Sequence, residues 1–145
     1  MKRFKISDHK FHGRHIHQDG LCRDLTRPDP QQSFSCHRLY QSSSPVSTAL
    51  LEKNAEEVIR HAGQRSAVEG IIPGHLKLLI KSDNSGLILS MTRPDSLDKA
   101  FLGQWSDLSD IKNYEVTINF NLVIPAVFSE EEYLEALTPG NLTEA

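Results

Sequence analysis

The sequence predicts an α+β protein: a small antiparallel sheet of at least three strands, a helix packed on one face, and a short C-terminal helix. Three observations carry that reading. Leu76, Leu78 and Ile80 alternate with polar residues, and Leu87, Leu89 and Met91 do the same beyond a polar turn. Val116, Ile118, Phe120, Leu122 and Ile124 repeat the pattern, which is the period of a half-buried strand. Leu51, Ala55, Val58, Ile59 and Ala62 instead fall on one stripe at helical spacing.

Taken in order, residues 1–46 hold no sustained period of either kind and read as an irregular leader. Arg27-Pro28-Asp29-Pro30 and Gln41-Ser42-Ser43-Ser44-Pro45 look like linker. This leader carries eight Lys/Arg against four Asp/Glu and five of the seven histidines, whereas residues 47–145 carry eight against fifteen. The chain is thus a basic, His-rich leader on an acidic body.

The body, 47–138, opens with the helix. Ser44 or Ser47 is its cap, Pro45 suits the first helical position if Ser44 caps, and Gly63 is the expected stop. Residues 74–92 form a hairpin turning at Asp83-Asn84. Its oily residues share a face only if Ile80 opposes Leu87, Leu78 opposes Leu89 and Leu76 opposes Met91; a one-residue slip would bury Lys77 and Lys81. Arg93-Pro94-Asp95 breaks the sheet, Lys99–Leu102 reads as a short strand and Ser106–Leu108 as a short capped helix. The strand 114–124 ends at Pro125. Ser129-Glu130-Glu131-Glu132 is a capping box with acidic residues at the positive end of a helix dipole. That helix carries Tyr133, Leu134 and Leu137 and closes at Pro139-Gly140, leaving 139–145 as a flexible tail. The expected core is Leu51, Val58, Ile59, Leu76, Leu78, Ile80, Leu87, Leu89, Met91, Val116, Ile118, Phe120, Leu122 and Ile124.

Three groups of residues carry candidate chemistry. Imidazole nitrogen and thiolate sulfur suit zinc, and His12, His17, Cys22 and Cys36 are the leader residues that loop folding would bring into a closed site. They include no C-x2-C pair, so a solvated tail with clustered histidines is the simpler reading. A second group lies on the sheet face turned away from the helix: His75, Lys77, Ser90, Thr92, Thr117, Asn119 and Asn121. These suit an anionic or polar ligand, with His75 as acid or base, although an open antiparallel sheet needs one wetted face in any case. Third, the leader's Lys and Arg residues interleave with Phe4, Phe11, Phe34 and Tyr40, the types that neutralise phosphates and stack on bases. Four acids dilute that charge, and little nucleic-acid affinity is expected.

Several classes drop out on motif grounds. The chain has no Walker loop, G-x-G-x-x-G, G-x-S-x-G, H-E-x-x-H or C-x-x-C. No apolar run is long enough to span a bilayer. MKRFKISDHKFHG lacks the apolar stretch of a secretory signal, and two cysteines make no disulfide framework, so a reducing cytoplasm is the expected compartment. The function these features point to is a non-enzymatic interaction or accessory domain. It would meet a protein partner or a second copy of itself, with the hairpin or the 114–124 strand at a sheet edge. The alternatives are a zinc-binding protein built on the leader and an enzyme using His75.

Overall fold

The computed structural model describes residues 30–106 and 108–142 in full, together with the backbone of two short strands, His15–Gln18 (β1) and Leu21–Asp24 (β2). These two pair antiparallel, His15 with Asp24 and His17 with Cys22. The elements that follow are β3 (Gln31–Val46), α1 (Thr48–Ser66), β4 (Gly74–Ser82), β5 (Ser85–Arg93), β6 (Ser96–Leu102), β7 (Ile111–Ala126), α2 (Glu130–Ala136) and a 3-10 turn, Pro139–Asn141. Strands β3 to β7 form one antiparallel sheet in the order β3-β7-β4-β5-β6. Strand content exceeds helix content, so the α+β expectation holds in outline while the fold is mostly sheet.

Parity of side chains builds the scaffold. The β4–β5 hairpin has the register that keeps its lysines out of the core: Ile80 opposes Leu87, Leu78 opposes Leu89 and Leu76 opposes Met91. Asp83 takes the left-handed conformation its tight turn demands (φ 49°). On β7, Val116, Ile118 and Phe120 point the same way and are fully buried. Both helices cover this inner face. α1 starts at Ser47, whose Oγ accepts the Leu50 N–H, and buries Leu51, Ala55, Val58, Ile59 and Ala62. α2 starts at Ser129, which caps Glu132 N–H, and sets Tyr133 against Phe34 and Phe120. Buried Asn54 ties the helices together by donating from Nδ2 to the Ala136 carbonyl at 2.8 Å.

Several expectations need correction. The leader does not stay irregular to residue 46, because Gln31–Val46 is a sixteen-residue strand paired with β7. Pro45 is accommodated by a slip in the ladder, the register shifting between Gln41 and Val46, and a second shift between Gln31 and Ser33 lies opposite Pro125 of β7. Pro45 is therefore in a strand, and β7 continues through Pro125 to Ala126. Gly63 does not stop α1. A Cβ there would come 2.5 Å from Met91 Sδ, so the glycine lets the helix approach β5, and the helix runs on to Ser66. Ile124 is not core; it is 48% exposed because β7 has passed its last β4 partner, Leu122 opposite Gly74. Strand β6 begins at Ser96, earlier than the short strand expected at Lys99, and the described residues among 106–108 are not helical. Through Leu142 the tail is anchored, since Leu142 is buried and Asn141 Nδ2 donates to the Glu135 carbonyl. Neither the hairpin nor β7 is an edge; the edges are β3 and β6, the two strands hardest to see in the sequence.

Candidate functional site

With α1 and α2 on one side, no element among the described residues 30–142 covers the other side of the sheet. Its side chains follow from the registers. Ser33, Asn121 and His75 lie in one row, and Ser35, Asn119, Lys77, Ser90 and Asp98 in the next. A third row is His37, Thr117, Leu79, Ile88 and Ala100, and a fourth is Leu39, Glu115, Lys81, Gly86 and Leu102. Thus His75, Lys77, Ser90, Asn119 and Asn121, named from the sequence, are neighbours on one surface, with Thr92 exposed further along β5.

The surface is polar at its margins and oily at its centre. Ser35 Oγ donates to Asn119 Oδ1 at 2.8 Å, and Ser33 Oγ to Asn121 Oδ1 at 3.5 Å. His37 Nε2 lies 3.2 Å from Glu115 Oε2, two residues along β7 from its direct partner Thr117. Between these margins Leu79 and Ile88 are half-buried, and Leu39 stands 70% exposed. Opposite His75 stands Asn121, whose amide neither gives nor takes a proton near neutral pH. The face offers hydrogen bonds, two lysines, aliphatic contact and the exposed His37–Glu115 pair, while the register partner of His75 is an amide rather than a carboxylate.

No protein-family model, curated protein or solved structure matches the chain. Among the described residues, no helix is long and apolar enough to cross a membrane.

Of the four residues named for zinc, only Cys36 is described with its side chain. His12 lies outside the described residues. His17 and Cys22 are register partners in the β1–β2 hairpin. Cys36 is on β3 opposite Ile118, half-buried against the core, while the next residue, His37, belongs to the opposite face. Among the fully described residues no three His, Cys, Asp or Glu side chains gather as a metal group. Burial pushes the Cys36 thiol up from 9.0 to about 11, aided by the Glu130 carboxylate and opposed by the Arg38 guanidinium. A thiol that holds its proton this firmly is a poor ligand or nucleophile at neutral pH.

The Cys36 environment has a measurable consequence. The folded state binds the thiol proton more tightly than the unfolded chain, so this contribution is complete below pH 9 and is lost as pH rises towards about 11. Tyr40 and Tyr114, both raised chiefly by burial, act in the same direction at higher pH. Stability measured by urea unfolding is expected to fall across this window, the thiol supplying at most about 1.4 kcal/mol per pH unit. Cys36→Ala should flatten that part of the profile; an unaltered slope would mean the thiol is not held as described.

On the opposite side, a groove of about 460 Å³ runs along α1 between Glu52, Glu56, Arg60 and Trp105. Its chemistry is internally satisfied. Lys99 of β6 donates to Glu56 at 2.8 Å and Glu52 at 3.1 Å, and buried Trp105 donates from Nε1 to Glu52 Oε1 at 3.2 Å. The hydrogen bonds to Glu56 and then Glu52 raise the Lys99 pKa. This cluster fastens an edge strand and the following loop to the helix.

Sequence reading missed the contribution of β3 to the open face, namely Ser33, Ser35, His37 and Leu39. The signal was present in the alternation of Ser33, Ser35 and His37 with Phe34 and Cys36. It is broken by Arg38, which occupies an inward position but stays exposed beside the free edge.

Proposed function

We propose that this chain is a non-enzymatic interaction domain whose uncovered sheet face meets a protein partner. The observation that supports the reading is the one-sided placement of both helices. It leaves a broad surface with half-buried Leu79 and Ile88 at the centre and Ser, Asn, His and Lys residues around them. A dehydrated apolar centre within a hydrogen-bonding margin is the usual anatomy of a protein contact. Lys77 and Lys81 supply positive charge that would suit an acidic or mixed partner surface.

The test is covalent footprinting of lysines. Lys77 and Lys81 on the face and Lys53 on α1 are all exposed in the chain itself. In extract from its natural cell, Lys77 and Lys81 should label more slowly than in the purified protein while Lys53 changes little. An Ile88→Glu variant should abolish the difference. Equal labelling of all three lysines in both settings would overturn the reading. If purified protein already shows the protection at high concentration, and Ile88→Glu removes it, the partner is a second copy.

A further inference from the structure

The two edges of the sheet are built differently. β6 is a seven-residue edge carrying Asp98 and Lys99, the lysine held on the helix side by Glu52 and Glu56. Short length and an inward charge are devices that keep an edge from pairing. β3 is sixteen residues long, and its slip-free stretch, residues 33–41, holds one arginine, no lysine and no carboxylate. Hydrogen-bond parity shows which of its peptide groups are free. The Val123 N–H donates to the Pro73 carbonyl at 2.7 Å, so the odd residues of β7 bond to β4 and its even residues face β3. The two-residue turn at Asp83-Asn84 closes on Ser82 and Ser85 as a bonded pair, which gives the same parity. Phe34, Cys36 and Arg38 therefore bond to Phe120, Ile118 and Val116. Ser33, Ser35, His37, Leu39 and Gln41 are left with N–H and C=O groups directed away from the sheet, and no described strand pairs with them there.

We propose that this edge pairs antiparallel with the same edge of a second copy, about a two-fold axis at His37, doubling the five-stranded sheet. The occupant and the register follow from the strand itself. Bonded pairs must join outward residues, and antiparallel registers centred on Cys36, His37 or Arg38 all satisfy that. Only the His37 centre pairs the whole slip-free stretch with itself. It sets Phe34 opposite Tyr40 of the second copy, an aromatic cross-strand pair, and Arg38 opposite Cys36. Centring on Arg38 would instead bring two guanidinium groups face to face. Glu130 acts electrostatically on Cys36, so the His37 register brings Arg38 of each copy towards Glu130 of the other. Opposite charges thus meet twice, once on each side of the axis. Pairing also sets the two open faces side by side, which extends the surface proposed above without resting on it.

Sedimentation of the purified full-length chain should show its mass doubling as concentration rises from micromolar towards millimolar. Leu39→Pro removes an outward N–H and no bond to β7. It should keep the thermal midpoint of dilute protein and raise the dimer dissociation constant at least about 10-fold. The register has its own readout. In a Cys22→Ser background, Arg38→Cys places a thiol opposite Cys36 of the second copy at a non-bonded pair, where Cα atoms are about 4.5 Å apart and within disulfide reach. Mild oxidation should give a covalent dimer whose link, mapped by mass spectrometry, joins position 36 to position 38. Monomer at every concentration, a dimer untouched by Leu39→Pro, or links only between identical positions would each overturn the inference. Lys77 and Lys81 sit on β4, two strands inside this edge, so the lysine footprint tests the face separately.

Discussion

Phe120→Ala is expected to cost the fold about 3–5 kcal/mol, the range for deleting a large aromatic from a closed core. Phe120 is fully buried on the central strand β7. Its ring centroid lies 5.5 Å from Phe34 of β3, 5.1 Å from Phe128 and 6.3 Å from Tyr133 of α2. One side chain therefore joins an edge strand, the connection after β7 and the second helix. These neighbours belong to different elements, each fixed by its own hydrogen bonds, so they cannot collapse far into the space left behind. Urea unfolding should show the midpoint falling with little change in slope, and Phe120→Leu should lose distinctly less. A loss below about 1 kcal/mol for the alanine variant would show that this aromatic cluster does not hold the layers together.

Gly74→Ala is expected to be nearly as damaging, for backbone reasons. Gly74 begins β4 with φ +149°, opposite Leu122 of β7. A Cβ there would stand 2.0 Å from the Asn121 carbonyl oxygen and 2.8 Å from Leu122 Cα. Both obstacles are main chain, so no rotamer change relieves them, and the β4–β7 ladder must open at this end. Strain and overpacking together are of order 3 kcal/mol. Gly70 provides the control. It also has positive φ (+78°), yet nothing lies within 4 Å of an added Cβ. Gly70→Ala should cost only the backbone term, about 1–2 kcal/mol. Thermal melts in which both variants lose the same amount would contradict the close approach at Gly74.

The contrast between these two glycines also shows what the chain discloses by itself. Both sit in Glu69-Gly70-Ile71-Ile72-Pro73-Gly74, and nothing in that string separates a free glycine from one pressed against another strand. The β4–β5 hairpin was readable because its partners are close in sequence and its parity is clean. The inward set of β7 was readable through Leu122. Beyond it, Ile124 keeps the alternation but has no β4 residue beside it, and periodicity does not record where a neighbour ends. Strand β3 was hidden because its inward positions include Arg38, Pro30 immediately precedes it and Pro45 lies near its end, features a free edge with ladder slips tolerates. β6 was only partly visible because Lys99 faces the helix. Its charge is answered by Glu52 and Glu56, residues some forty positions upstream that read as ordinary solvated helix surface. The open-face residues His75, Lys77, Ser90, Asn119 and Asn121 were legible because the parity that buries Leu76 and Ile118 must turn their neighbours outward.

The place of β7 in the sheet has a consequence for synthesis. It lies between β3 and β4 although it is the last of the five sheet strands in chain order. Until it emerges, β3 has no neighbour in the sheet and one side of β4 is bare. A nascent chain halted after β6 would thus display two strands' worth of unanswered peptide groups and the oily side of α1's seat. Such edges recruit other chains. Addition of β7 converts this adhesive intermediate into a closed layer in a single insertion, so products truncated before β7 should be found with chaperones or in aggregates rather than free.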